Sequence, residues 1–419
     1  MSQKCSMLPK SNDKLFTTPV RTPQERGAGS RPNPFRDFLP WNIVMILLCV
    51  LPLPRAFSSS DITRDSAAMA SVRLAINRVY NLEFREADPI IKELETAYPD
   101  YPGMPVLRSF YLYWKYRPIK PDTEAFHSFE RVLRTAMQQS QALLDVNNGD
   151  EEGIFFAMVS RAYLALMYSE NGMNMKALIE AKSAYGYLKK GFDLMEQNPE
   201  FYFSSGIYNY YRVKFPEENP FFKPFMWFFA SGDKEMGMQM LRTGAEMGIF
   251  TRVECLHYLW SILLHYEYQP HEALPHAQRL HEDYPANLHF AANYIETLME
   301  LNELQDALPL ILNLKSSKEP YYQYLGYLFH GYYLENHTED LSGARALYEK
   351  SMATGQGKKV DTPHHNSLLY AGMGRTAVVA GEADCGKSWF QLALKSAEYT
   401  YMRQRIQGEL KRIRSCFTE

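Results

Sequence analysis

Cysteine is scarce, five in 419 residues, and none sits in a Cys-x-x-Cys pair. Only Cys255, Cys385 and Cys416 lie beyond residue 58, so no closed disulfide framework is possible there. Basic excess is missing as well. The formal net charge is -3. Residues 1–58 carry eight Lys/Arg against three Asp/Glu, which leaves 37 basic and 45 acidic residues in the remainder. A body of that sign is a poor counterion for phosphate backbones, which excludes nucleic acid as the expected partner. Past Ser60 no segment alternates with the period of a strand ladder. No serine, cysteine or carboxylate stands in a nucleophile–base signature, so the chain is not read as an enzyme, and no cofactor is expected.

Apolar residues, by contrast, make up 46% of the chain and aromatics 14%. That is ample for a continuous core and rules out wholesale disorder. Residues 1–58 read as a polar leader ending in a targeting segment. Ile43–Leu53 is apolar, Arg31 and Arg36 precede it, and Ala56 and Ser58 place small residues before a cleavage point after Ser58. This is the layout of a secretory signal peptide, and it predicts export to a periplasm or the cell exterior. The alternative is an uncleaved anchor over residues 38–54, which is 17 residues with three prolines against the roughly 20 apolar residues a bilayer core asks for.

From residue 59 apolar positions recur at helical spacing. Helices are predicted at about 64–82, 84–98, 123–145, 153–170, 173–196, 200–214, 233–247, 251–267, 271–283, 287–301, 303–315, 320–335, 340–353, 365–380, 384–396 and 398–414. They come in pairs, and the pairs repeat. Ala273 and Ala307 lie 34 residues apart in similar contexts, and Ala344 stands 37 later. Glu86-Ala87 and Glu272-Ala273 each reach a Tyr-Pro closure at the same offset, Tyr98-Pro99 and Tyr284-Pro285. Leu164, Ala165 and Tyr168 stand before Ala177, and the spacing of Gly232, Gly237 and Gly244 recurs in Gly381, Gly386 and Ala393.

This pattern resembles the tetratricopeptide repeat family at superfamily level, over most of 64–396. Small residues at helix crossings let paired helices approach closely, and each pair leaves an apolar face that only the next pair covers. The resemblance implies an all-α right-handed solenoid of about six or seven antiparallel helix pairs. The repeat domain would run over 59–397, with an aromatic insertion at 201–231 and a polar capping helix and tail at 398–419. It also implies a concave groove lined by first helices, placing Tyr258, His265, His289, Glu296, Phe329, Tyr333 and Asn336 in that groove.

Three strings compete with the repeat for a chemical meaning. Gly381–Ser388 fits G-x-x-x-x-G-K-S, the grammar of a phosphate-binding loop. Only 31 residues come after it, with no strand to hold a metal, and its glycines already fall on repeat positions. Six histidines crowd residues 257–289. His271, His276 and His281 are five apart, about 140° per step on a helix, so they fan outward and no metal site is expected from them. His364 and His365 stand apart from that group. Segment 201–229 is dense in rings and broken by Pro216, Pro220 and Pro224; Lys214 and Lys223 exclude a membrane span there. Its rings either plug gaps between pairs or form a lip, Phe221, Phe222, Phe225 and Trp227, that grips a partner or touches a membrane surface.

The sequence therefore predicts an exported scaffold or adaptor that binds a peptide or protein partner. The alternatives are a soluble receptor for a small ligand or glycan and, behind it, a nucleotide-binding enzyme.

Overall fold

The structure, a computed structural model, describes residues 62, 65–218, 223, 229–358 and 362–416, with side chains up to 412. The leader, its cleavage point, the anchor at 38–54 and the four lip residues lie outside the described residues. The chain divides into two units, Met1–Ser58 and Ser59–Glu419, and the described helices lie in the second.

That unit is an all-α solenoid of antiparallel helix pairs. The pairs are α1 (Ser66–Tyr80) with α2 (Phe84–Ala97), α3 (Gly103–Tyr116) with α4 (Glu124–Val146), α5 (Glu151–Glu170) with α6 (Asn174–Gly191), and α7 (Phe201–Glu218) with α8 (Lys234–Met247). Next come α9 (Arg252–Ser261) with α10 (Pro270–Asp283), α11 (Leu288–Leu301) with α12 (Leu308–Ser316), α13 (Pro320–Tyr333) with α14 (Leu341–Lys358), and α15 (Pro363–Val379) with α16 (Ala383–Ser396). The last helix, α17, spans Thr400–Cys416. No described helix is long and apolar enough to cross a membrane.

Local chemistry sets the helix boundaries. Side chains of Asp65, Thr123, Asp150, Asp233, Asn287 and Thr362 cap α1, α4, α5, α8, α11 and α15 by accepting from first-turn N–H groups. Gly172 (φ 70°) and Gly381 (φ 79°) make the left-handed turns between α5 and α6 and between α15 and α16. The small repeat residues sit at helix crossings: Ala87, Ala273, Ala307, Ala344 and Ala393 are fully buried. Between α7 and α8 the backbones approach closely. A Cβ on Gly237 would lie 2.7 Å from the Tyr210 backbone N and 2.8 Å from the Gly206 carbonyl oxygen.

The structure departs from the sequence reading in four places. There are eight pairs among the described residues rather than six or seven, because α3 was not anticipated. Its Phe110–Trp114 run has no polar face. Tyr111 packs on Phe84, Tyr113 on Phe129 and Trp114 on Phe290, so the helix is enclosed and the usual periodicity is erased. Second, α7 runs through Pro216 to Glu218, so half of the expected insertion is ordinary helix, with Phe201 and Tyr210 in the core. A proline this near the helix end removes a single backbone bond. The chain rejoins at Ala230, whose carbonyl accepts from Tyr208 and Arg212. Third, α17 is more than a polar cap, because Met402 and Ile406 are buried.

The fourth departure concerns the groove. The first helices of early and middle pairs touch one another. Tyr80 of α1 donates its hydroxyl to Glu254 of α9. Asn287 Nδ2 donates to the Tyr80 carbonyl at 2.8 Å, and the Tyr284 hydroxyl donates to Asn77 at 2.9 Å. Trp114 lies 6.0 Å from Phe290, centroid to centroid, and Phe110 6.3 Å from Phe250. The hydrophobic core therefore runs across the concave side as well as between neighbouring pairs.

Gly237→Ala should destabilise the fold by about 1–3 kcal/mol in urea unfolding, since the α7 backbone stands against the new methyl. Gly186→Ala, in a helix with nothing within 4 Å of the added Cβ, should gain up to ~1 kcal/mol from helix propensity.

Candidate functional site

The seven expected groove residues do not form one open surface. Tyr258 is half-buried and packs 5.5 Å from Phe203. His289 stands between Trp114, at 6.3 Å, and His257, at 5.2 Å. His265 and Glu296 are buried, and Phe329 has no exposure at all, packing on His365. Tyr333 is buried against His337. Asn336 is exposed and bonds back to the Tyr332 carbonyl of its own helix. For His265, Glu296 and Phe329 the groove assignment is therefore corrected to interior, because the two walls of the groove meet.

Two π-helical turns change the phase of the spacing argument. Ile262–Tyr266 extends α9 and Leu334–Thr338 extends α13. An extra residue in a turn rotates the residues after it by part of a revolution. In the second turn Glu335 faces inward, accepting from Arg375 at 3.0 Å and from Tyr348 at 2.6 Å, while Asn336 points to solvent. In the first, His265 is carried inward to Glu296.

Glu296 of α11 is the centre of the interior. His364 of α15 bonds its Oε1 through Nε2. His265 Nδ1 lies 3.9 Å from the same oxygen, and His365 Nε2 lies 3.8 Å from Oε2. Tyr399 stacks on His265 at 4.6 Å from the stretch entering α17. Burial pushes the Glu296 carboxyl up, but His364 and His265 outweigh it and hold it well below the usual carboxylate range. Burial pushes His364 down, and the charge and bond of Glu296 carry it above its ordinary value instead. His265 falls to about 3, through burial first and the neighbouring His364 and His365 next, against the pull of Glu296. The result is one ion pair beside a neutral imidazole.

His364 and His365 were not expected to join the other histidines. They lie 68 or more residues beyond Glu296 in sequence, and only the packing of α15 against α13 and α17 brings them there. His271, His276 and His281 share α10, with His281 stacked on Tyr294 at 5.6 Å. The G-x-x-x-x-G-K-S string is helical from Ala383 onward. The Gly386 N–H is bonded to the Glu382 carbonyl, and the Ser388 hydroxyl to that of Asp384. Those N–H groups are committed to the helix and form no phosphate cradle.

A second feature lies on the outer wall. Met175, Leu178 and Ile179 of α6 are 70%, 61% and 60% exposed. Spacings of three and four put them on one face. The opposite face is spent on α5, where Glu180 accepts from Arg161 at 2.8 Å and Ala184 is buried.

The described unit thus belongs to the class of all-α helical-repeat solenoids. No family model matches the chain, and no curated protein does. Among solved structures, the crystal structure of yeast Tom70 is similar at 12% identity with a TM-score of 0.36. The match covers 76% of this chain and 64% of that one. The chain therefore spans under two thirds of the length of the structure it matches.

Glu254 provides a readout of the closure between α1 and α9. Burial lifts its carboxyl to about 7, against the bond from Tyr80, and its Oε2 has no hydrogen-bond partner. The folded state holds this proton more tightly than the unfolded chain does. The stability it contributes is full below about pH 4.5 and is lost as pH rises through about 7. In chemical denaturation, the wild-type minus Glu254→Gln stability difference should shrink by up to about 3 kcal/mol across that window and level off above it.

Proposed function

We propose that this chain is an exported helical-repeat scaffold that binds a protein partner through the apolar stripe of α6. Stacked helix pairs expose long surfaces and suit binding rather than turnover. The observation that carries the reading is Met175, Leu178 and Ile179, three large apolar side chains left in water along one helix face. Burying them would return about 1.5–3 kcal/mol each. The complementary partner is an apolar-faced helix or segment laid along α6, read by anchors at helical spacing. Export is supported by the leader and by Cys385 being disulfide-bonded, since disulfides persist in oxidising compartments. The inner-face residues named from the sequence are engaged with their own chain and take the structural part of the work.

The test is in-cell crosslinking of the tagged full chain, comparing wild type with the double substitution Leu178→Asp and Ile179→Asp. A protein captured by the wild type should fall at least tenfold in the variant, with the thermal midpoint unchanged because neither side chain packs in the core. Undiminished capture by the variant removes α6 from the reading. Failure of the wild type to capture any protein removes the scaffold.

A further inference from the structure

We propose that His265, Glu296 and His364 form a binding site for one divalent transition-metal ion of the zinc class, which ties the end of the solenoid to its middle. The three residues come from separate elements, the π-helical turn after α9, helix α11 and the first turn of α15. One donor atom from each lies within 4.8 Å of the others, and all three residues are buried.

The independent sign of a missing ligand is His265 Nδ1. It is buried and has no hydrogen-bond partner. Leaving a buried polar atom unpaired costs about 1–3 kcal/mol. It faces Glu296 Oε1 at 3.9 Å, too far for a hydrogen bond. Two donors held about 2.1 Å from a tetrahedral zinc stand roughly 3.4 Å apart. When an ion enters, the gap at His265 therefore closes by a few tenths of an ångström and the His364–Glu296 hydrogen bond opens by about an ångström, both within the reach of side-chain torsions.

The donor set selects the ion. Imidazole with one carboxylate suits zinc, cobalt and nickel, whereas calcium and magnesium ask for all-oxygen shells. Around the donors the supports of a metal site are in place. His365 Nε2 faces the second carboxylate oxygen of Glu296 at 3.8 Å, and its Nδ1 lies 2.7 Å from the Thr362 hydroxyl, which fixes the ring. His364 Nδ1 sits 3.2 Å from the Met402 sulfur on α17, and Tyr399 covers His265. In the metal-free protein the proton of the His364–Glu296 hydrogen bond occupies part of this space. The ion replaces it, and that proton leaves to solvent.

The energetic consequence is mechanical. Without the ion, α15 and α17 are joined to the fifth and sixth pairs by the His364–Glu296 and Arg405–Glu300 ion pairs and by stacked rings. With it, three elements share a coordination bond set, so the metal stabilises the folded array by mass action.

The test uses the untagged full chain, stripped with chelator. Zinc titration by calorimetry should give one equivalent per chain, and cobalt should develop the intense visible absorption of tetrahedral coordination. The thermal midpoint should rise with zinc and not with calcium or magnesium. His265→Gln removes the ring that stacks on Tyr399, so its metal-free melt should fall somewhat while the protein still folds, and zinc affinity is compared on the folded variant. Its zinc affinity should drop at least ~100-fold, as should that of Glu296→Gln, while His276→Gln on α10 should bind as wild type does. Zinc affinity that survives His265→Gln overturns the proposal, and so does wild-type protein that binds no zinc. If Glu296→Gln fails to fold, His265→Gln alone decides.

Discussion

Tyr80 reaches across the concave side to Glu254, and Asn287 reaches back to the carbonyl of Tyr80. A solenoid of helix pairs can remain open, with each pair touching only its neighbours. Here the first helix becomes part of the wall of the fifth and sixth pairs. Trp114, Phe110, Phe250 and Phe290 continue that contact as a sheet of aromatic edges. Once those faces meet, the inner side chains of the middle pairs lose their solvent. A row of residues that would line a groove becomes core, and the polar ones among them must find partners within the chain.

That requirement explains the interior chemistry. Glu296 is answered by His364, Glu335 by Arg375 and Tyr348, and Glu200 by the backbone N–H groups of Ile249, Phe250 and Thr251. Each is a carboxylate withdrawn wholly or partly from water and supplied with donors by its own chain. Among the buried atoms that retain no partner are Glu254 Oε2 and His265 Nδ1. One lies at the seam of closure and the other at the crossing of three elements.

The architecture was legible in the sequence because it is written locally. Alanines 34 residues apart and repeated Tyr-Pro closures mark helix pairs without reference to anything distant, and the caps and left-handed glycines fix their ends. What could not be read was whatever depends on return contacts. Helix α3 lost its period because neighbours cover most of its surface. His265 was carried inward by a π-helical turn that no spacing rule anticipates. The approach of His364 to Glu296 is set by how far the array curves, and curvature is a sum of small packing angles with no signature in any single repeat. The stripe Met175, Leu178, Ile179 is visible as a helical spacing, but sequence alone does not tell a bare face from a packed one.

The seam between the first helix and the fifth and sixth pairs joins residues 174 to 207 positions apart. A ribosome adds about 5–20 residues per second. The apolar face of α1 therefore waits on the order of ten seconds or longer before its covering surface has been made. During that interval Tyr80, Trp114 and Phe110 are exposed on a partial array whose own pairs are already able to form. Closure is a late event in the life of each new chain, and the half-built molecule is the form most in need of a chaperone.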